Sequence, residues 1–213
     1  IKASHAQKEA EAERLKAQQE ARAAQAVSDF LRKDLLESMA PYAVQKQDIT
    51  VRSWLDDTSA KLEGRFENEP LIEAQIRYSL GKSYFNLGVY DLAEKHLIRA
   101  YALQLEKSGN KNIDTLNTME MLGSVYMKMG LYGEAENLFN QTISGRKEVL
   151  SADDPNTLST MNELAVSYLS SGQYDKAENL YNEALAIREK IFGENGTFTL
   201  LMTGNLADVY RLQ

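Results

Sequence analysis

The 213-residue sequence has no cysteine, only three prolines and no long run of apolar residues. Without cysteine, disulfides, thiolate catalysis and cysteine-ligated zinc are excluded. Because few prolines interrupt a chain rich in Ala, Leu, Glu and Lys, the composition favours an almost wholly helical protein. No stretch of about 18 apolar residues is present, so we expect no membrane span in this segment.

The charge of the chain is acidic and unevenly distributed. The net charge of −7 comes entirely from residues after position 40, because the first 40 residues hold equal numbers of basic and acidic side chains. An acidic body lacks the concentrated basic face that a nucleic-acid backbone requires, so we expect no nucleic-acid partner. The same charge is consistent with a basic peptide partner or with a solvated surface that aids solubility.

One block of sequence recurs at a fixed spacing. Leu80–Tyr84, Leu122–Tyr126 and Leu164–Tyr168 align without gaps at intervals of 42 residues, and Leu206–Tyr210 follows at the same interval. A fixed period of this length indicates a solenoid, in which similar helical units stack on one another. Solenoids bind partners along an extended surface, which favours a binding function over catalysis.

Each 42-residue unit divides into two predicted helices. The first ends at a glycine, Gly88, Gly130 or Gly172, because glycine adopts the left-handed conformation at low cost. The second carries a small residue, a large residue four positions later and another small residue three positions after that. We expect the small residues where two helices approach closely and the large ones between neighbouring units. They are Ala93, Leu97, Ala100, Ala135, Phe139, Thr142, Ala177, Tyr181 and Ala184.

This pattern resembles the tetratricopeptide repeat (TPR). In that family a Leu-Gly or Leu-Ala pair and a Tyr mark helix A, and an Ala, an aromatic residue and a second Ala mark helix B. The usual period is about 34 residues, so about eight are extra here, and they lengthen helix B away from the expected groove. Asp114–Leu116 and Asn156–Leu158, which open helix A, are similar to the kinesin-light-chain type of repeat.

The resemblance implies an all-α fold, a right-handed α-solenoid of antiparallel helix pairs (a TPR superhelix) with a long N-terminal helix. Residues 70–213 are predicted to form the repeat array. Its units are about 70–111, 112–153 and 154–195, followed by a partial unit 196–213. Because the partial unit has no helix B, we expect the apolar residues around Leu206 and Tyr210 to lack their usual cover.

Upstream of the array, residues 26–69 are predicted to form irregular N-terminal capping helices. One covers Ala26–Met39, and the other runs from Thr50 to Phe66 with an apolar face. Pro70 suits the first turn of the next helix. Residues 1–25 form a charged, Ala-rich helical extension or linker, which is either a solvated helix or a helix for signalling or dimerisation.

Three segments resemble the region before and at the start of TPR arrays in some bacterial serine/threonine protein kinases. They are Ala23–Leu31, Asp48–Asp56 and Leu80–Gly88. In those proteins a kinase domain comes first, and a membrane span often follows it. The resemblance therefore implies a regulatory or sensor region, cytoplasmic or, if a span precedes it, extracytoplasmic.

The sequence shows no constellation of catalytic or metal-binding residues. It has no His-Arg-Asp triplet, no Asp-Phe-Gly and no Gly-rich phosphate loop. The two histidines, His5 and His96, are isolated, and His96 is expected to be a partly buried or surface residue of a repeat helix. We therefore expect no catalytic residue, metal site or cofactor in this segment.

In TPR proteins the concave face is lined mainly by helix A, so the resemblance implies a groove for an extended peptide. Relative to the Leu-Gly or Leu-Ala pair, the inward positions are the second residue before the Leu and the first, fourth and fifth residues after the Gly or Ala. Amide and hydroxyl groups at these positions suit a peptide backbone, and apolar residues suit its side chains. The predicted groove residues are Tyr78, Lys82, Phe85, Asn86, Glu120, Ser124, Met127, Lys128, Asn162, Val166, Leu169 and Asp208.

The leading functional hypothesis is a non-catalytic scaffold that binds a protein or peptide ligand in this concave groove. The kinase resemblance implies that the scaffold regulates a larger bacterial kinase. The alternative is a self-association module, which forms a homo-oligomer through the N-terminal helix or through the truncated C-terminal repeat. The recurring tyrosines Tyr84, Tyr126, Tyr168 and Tyr210 are expected in the core rather than in the groove.

Overall fold

The computed structural model describes the backbone of residues 50–192 and 197–213 and isolated helical positions between residues 7 and 28. Side chains are described as far as residue 188 and again from residue 199. The predicted capping helix Ala26–Met39 and most of the extension 1–25 lie outside the described residues. Within the described ranges the chain forms helices and no strand.

The described ranges from residue 50 onward contain eight helices, which belong to two compact units, Ile1–Leu80 and Gly81–Gln213. The second helix begins in the first unit and ends in the second. The helices are α1 (Val51–Leu62), α2 (Pro70–Asn86), α3 (Tyr90–Ser108), α4 (Ile113–Lys128), α5 (Tyr132–Val149), α6 (Pro155–Ser170), α7 (Tyr174–Phe192) and α8 (Thr197–Leu212).

In the first unit, α1 is shorter than the sequence predicted. Thr50 caps its start, because its hydroxyl oxygen accepts a hydrogen bond from the Ser53 amide at 3.1 Å. The helix ends at Leu62 rather than at Phe66, since the chain turns through Gly64 with a left-handed φ of 74°. The predicted start of the next helix at Pro70 is confirmed.

A buried arginine links the two helices of the first unit. Arg77 of α2 donates from Nε to Glu73 at 2.6 Å and from a terminal nitrogen to Glu63, just after α1, at 3.1 Å. Both Arg77 and Glu73 are buried. A buried ion pair of this kind is costly to break, because the remaining charge would be left without a partner.

In the second unit, helices that follow one another along the chain pack together from α3 to α8. The first helices of successive pairs also touch, α4 against α6 and α6 against α8. These first helices therefore form a continuous row beside the row of second helices. This arrangement places the residues of α4, α6 and α8 on a shared surface.

Side-chain caps start two helices of this unit, and the predicted glycine stops are confirmed. Asn112 and Asp154 cap α4 and α6 by accepting hydrogen bonds from backbone amides of the first turn. Gly88, Gly130 and Gly172 follow the ends of α2, α4 and α6 with φ values of 73°, 78° and 75°. Only glycine adopts this left-handed conformation without strain, so each turn stops the helix at a defined place.

The small residues of the first helices permit close packing, as predicted. A Cβ at Gly81 would lie 2.6 Å from Cγ of Leu97, and one at Gly123 would lie 2.9 Å from Cε1 of Phe139. Each of these large residues belongs to the same repeat as its glycine. Leu97 and Phe139 therefore pack against the first helix of their own repeat. Phe139 also belongs to a core cluster that contains Leu158 and Met161 of the next repeat.

The tyrosine series changes its environment along the array. Tyr84 and Tyr168 are buried, Tyr126 is partly buried, and Tyr210 is 53% exposed. The prediction of uncovered apolar surface at the end of the array is confirmed for Tyr210 but is wrong for Leu206, which is buried. Leu206 belongs to the core, whereas the Tyr210 ring is exposed and its hydroxyl donates to Glu178 of α7 at 3.1 Å, so the expected core position is wrong for Tyr210.

His96 is fully buried, so its predicted position at or near the surface is wrong. Its ring stacks on that of Tyr84, with centroids 5.5 Å apart and planes within 8° of parallel. The stacked pair fills the contact between α2 and α3 inside the second unit. His96 is thus part of the core.

Candidate functional site

The predicted groove residues occupy α2, α4, α6 and α8. Tyr78 belongs to the first unit and the other eleven to the second. Four side chains are exposed: Lys82, Asn86, Lys128 and Asp208. Partly exposed are Tyr78, Phe85, Glu120, Val166 and Leu169, whereas Ser124, Met127 and Asn162 are nearly buried.

Hydrogen bonds join the first helices of successive repeats across this surface. The hydroxyl of Thr160 on α6 lies 2.8 Å from a carboxylate oxygen of Glu120 on α4. The amide nitrogen of Asn205 on α8 donates to the amide oxygen of Asn162 on α6 at 3.2 Å. We call this face the A-helix surface and define it by Lys82, Phe85, Glu120, Lys128, Asn162, Glu163, Val166, Leu169, Asn205 and Asp208.

Beneath the A-helix surface lies Arg146, the largest of the fully buried side chains. Its two terminal nitrogens donate to the two carboxylate oxygens of Glu120 at 2.9 and 3.0 Å. It also donates to the Asn117 side chain at 2.7 Å and to the Asn156 carbonyl at 2.8 Å. One guanidinium therefore joins α4, α5 and α6 through charge-assisted hydrogen bonds.

Arg146 belongs to the extra residues of helix B, which were expected to lie away from the groove. That expectation is wrong for this residue, because its side chain reaches Glu120, a predicted groove residue. The sequence holds only a weak signal for the pair. The two corresponding positions carry Gln104 and Tyr78 in the preceding repeat but Arg188 and Asn162 in the following one, so the arginine also recurs without the glutamate.

Glu163 is a member of the A-helix surface that the sequence prediction missed. It is partly buried on α6, and its carboxylate has no hydrogen bond or ion pair to any part of the chain that the structure describes. Burial raises the pKa of Glu163, the nearby Glu120 raises it further, and Lys128 lowers it. The position lies one residue before the Leu-Ala pair, outside the frame that selected the groove residues.

The acidic side of the surface extends to the end of the array. Tyr181 of α7 is fully buried beneath it. Burial raises the pKa of Tyr181 to about 12, with further contributions from the negative charges of Glu163 and Asp208. Glu163 and Asp208, which belong to neighbouring repeats, thus both lie near Tyr181.

A second set of contacts recurs between successive repeats. The Tyr168 hydroxyl donates to Glu136 at 2.8 Å, and the Tyr210 hydroxyl donates to Glu178 at 3.1 Å. In each pair the tyrosine lies 32 residues after its glutamate. That glutamate directly follows the first small residue of helix B, which is Ala135 or Ala177. Lys176 also binds Glu136 at 3.1 Å and lies 4.9 Å from the centre of the Tyr168 ring. The Tyr–Glu contact therefore joins each of these repeats to the one before it, at positions that the 42-residue period makes equivalent.

Side chains that could bind a metal ion are dispersed over the described residues. Among them, no group of three His, Asp or Glu side chains lies close enough to hold a metal ion. The one histidine within the described ranges is His96, which lies in the core. None of the described helices has both the length and the apolar character needed to cross a bilayer.

Comparisons with known proteins agree with this architecture. The family model of the tetratricopeptide repeat matches residues 73–148, 114–190 and 156–213, in overlapping windows. A comparison with curated proteins finds no match. Many solved structures are also similar, and two of them are similar over most of their length.

One of these structures is described as a kinesin light chain with nearly identical TPR-like repeats from Podosopora anserina. It has a TM-score of 0.67 and 21% identity, with 88% of this chain and 85% of that chain covered. The other is BtubC (BKLC) from P. vanneervenii, with a TM-score of 0.67 and 19% identity over 92% of this chain and 83% of that one. These likenesses confirm the predicted all-α solenoid of antiparallel helix pairs. Because the family model covers most of the sequence, the chain belongs to the tetratricopeptide repeat family.

Proposed function

We propose that this chain is a non-catalytic scaffold that binds a segment of another protein as an extended peptide along the A-helix surface. The observation that carries the proposal is the surface itself. Amide, carboxylate and ammonium groups surround the partly exposed apolar side chains of Phe85, Val166 and Leu169. This mixture can bind both the backbone and the side chains of a peptide.

The fold supports the proposal because the surface is prearranged. Arg146 and the Asn162–Asn205 pair fix the first helices relative to one another before any ligand arrives. A rigid receptor loses little conformational entropy on binding, so more of the contact energy contributes to affinity.

The proposal is tested by selecting peptides from an immobilised library of random nine-residue sequences. Hydrogen exchange on the protein, with and without the best peptide, then locates the binding surface. We expect protection on α4, α6 and α8, and protection confined to α3, α5 and α7 would contradict the proposal. Phe85→Ala should weaken binding several-fold, whereas Leu105→Ala, at an exposed apolar position on α3, is the matched control.

We also propose that the scaffold is the regulatory or sensor region of a larger bacterial serine/threonine kinase. Support comes from the sequence resemblance of Ala23–Leu31, Asp48–Asp56 and Leu80–Gly88 to the corresponding region of such kinases. Reading the full gene tests this directly. A coding sequence without a kinase domain would refute it.

Self-association is a second candidate function, favoured by one observation. Leu200 of α8 is 58% exposed, whereas Leu158, at the same position of the preceding repeat, is fully buried. Leu201, Tyr210 and Leu212 of the same helix are also exposed. Light scattering on the whole chain and on a Leu200→Ser variant tests the idea, and a monomer at all concentrations would eliminate it.

A further inference from the structure

The A-helix surface changes its charge from one end of the repeat array to the other. The position just after the Leu-Gly/Ala pair carries Lys82, Ser124, Val166 and Asp208 in four successive repeats. The series therefore runs from a cation through a hydroxyl and an apolar side chain to an anion. The terminal members, Lys82 and Asp208, are both exposed.

The cationic end has a free ammonium group. Lys82 makes no hydrogen bond or ion pair within the part of the chain that the structure describes. Lys128, exposed at the end of α4, is not part of this end, because it lies near Glu163 of α6 and lowers the pKa of that carboxyl. The acidic residue on the frame of the next repeat, Glu120, has both of its oxygens occupied by Arg146, so it does not neutralise Lys82.

The anionic end carries the carboxylate of Asp208. Asp208 is paired with Arg211 three residues later, but both side chains are exposed, so this pair contributes little and its partners exchange readily with solvent. Glu163, half-buried on α6, has Lys128 of α4 as a nearby positive charge, so these two residues compensate each other at the centre of the surface.

Apolar side chains lie between the two ends. Val166 and Leu169 of α6 are partly exposed and pack on the core that contains Met127. They offer a shallow apolar strip to one or two ligand side chains. The surface thus has a cationic end, an apolar centre and an anionic end, in that order.

On the basis of the proposed function, we propose that the ligand is a dipolar peptide with acidic residues at one end, an apolar centre and basic residues at the other. Its acidic end binds at Lys82, and its basic end binds at Asp208. First helices packed at about 8–10 Å place Lys82 and Asp208 about 25–30 Å apart over three steps. An extended chain spans that distance with about eight residues.

Charge order, rather than net charge, is what this surface selects. An all-basic peptide of the same length would be attracted by Asp208 but repelled by Lys82. An all-acidic peptide would be attracted by Lys82 but repelled by Asp208. Such like-charge contacts act against the wrong ligands, so discrimination exceeds the gain from any single ion pair.

The test uses synthetic peptides with blocked ends and the described chain in full. The dipolar probe is Asp-Asp-Leu-Ser-Leu-Ser-Lys-Lys. It is compared with the peptide of reversed sequence and with three further peptides. In these the four charged residues are all replaced by Ser, all by Lys or all by Asp. NMR titration gives both the affinity and the surface affected. We expect the better of the two dipolar orders to bind about fivefold tighter than the neutral and the single-sign peptides.

Two single substitutions then change the preferred charge order. Lys82→Asp should weaken the dipolar peptide about two- to fivefold and make the all-Lys peptide the tighter ligand. Asp208→Lys should shift preference towards the all-Asp peptide. Lys95→Asp and Asp91→Lys, at exposed positions on α3, make the same charge changes away from the surface and should leave the order of affinities unaltered.

The outcomes separate this inference from the function on which it rests. If the neutral peptide shifts the resonances of α4, α6 and α8 and charge order has no effect, the charge inference falls and the scaffold remains. If Lys82→Asp changes binding no more than Lys95→Asp does, the inference also falls. If none of the peptides binds, this inference is refuted, and the library selection alone decides the scaffold proposal.

Discussion

Arg146 on α5 and Glu120 on α4 form a bidentate ion pair with N–O distances of 2.9 and 3.0 Å, beneath the proposed binding surface. The arginine side chain is 2% exposed and the glutamate side chain 23%. The same guanidinium binds the Asn156 carbonyl at the start of α6. The pair therefore fixes the position of the next repeat as well as its own.

Replacing Arg146 with glutamine should destabilise the array strongly. Glu120 would lose its counter-ion, and breaking a buried pair by removing one partner costs about 3–5 kcal/mol. Urea unfolding followed by circular dichroism measures the change. Arg211→Gln removes an exposed pair with Asp208 and should cost less than about 1 kcal/mol. Equal losses in the two variants would show that Arg146 has no special role.

Adding one methyl group at Gly123 should be unfavourable although it improves helix propensity. The new Cβ would lie 2.9 Å from the Phe139 ring, and overpacking of this kind costs about 1–3 kcal/mol. Gly204→Ala is the control, since a Cβ there meets no atom within 4 Å and alanine should gain up to about 1 kcal/mol. Thermal unfolding should therefore shift in opposite directions, and a gain at Gly123 would contradict the packing.

Stability should fall in alkaline solution because two buried tyrosines resist ionisation in the folded chain. Burial raises the pKa of Tyr168 and of Tyr181 to about 12, from an ordinary value of 10.0. Unfolding then releases protons above pH 10, so the stabilisation present below that pH is lost progressively between about pH 10 and 12. Tyrosinate absorbance during urea unfolding measures the effect. Tyr168→Phe should reduce this dependence, and an unchanged profile would refute the assignment.

Neutralising Glu163 should stabilise the protein at neutral pH. Its raised pKa means that the charged form is less favourable in the folded chain than in the unfolded chain, whose carboxyl pKa is about 4.5. The unfavourable contribution is absent below that pH and grows as the pH rises through the folded pKa. Glu163→Gln should therefore raise the urea midpoint at pH 7 and leave it nearly unchanged at pH 3.5. A loss of stability at pH 7 would show that the carboxylate has a structural partner.

The helices of the array were predictable because their signals are local. Gly130 ends α4 through backbone conformation alone, and Asp154 starts α6 through a hydrogen bond to its own first turn. Gly123 was expected at a close helix contact because glycine recurs there with the period. The end of α1 was missed, since Gly64 lies within a stretch whose apolar pattern continues to Phe66.

The candidate site was predicted less completely, because its important contacts join residues far apart in sequence. The repeat frame selected Lys82, Glu120 and Asp208, and whether they bind a ligand stays a prediction. Glu163 was missed because it lies one position outside the frame, although its surroundings bring it to the same surface.

The sequence by itself determined the helical class, the 42-residue period and the turns, since each depends on spacing and on residues that act within one helical turn. The tertiary structure decided what Arg146 does and where His96 lies. One local sequence pattern is compatible with two environments, because a charged or aromatic side chain of a helix can face either solvent or a neighbouring helix. Packing of α4, α5 and α6 surrounds Arg146 with oxygen acceptors, and packing of α2 on α3 encloses His96.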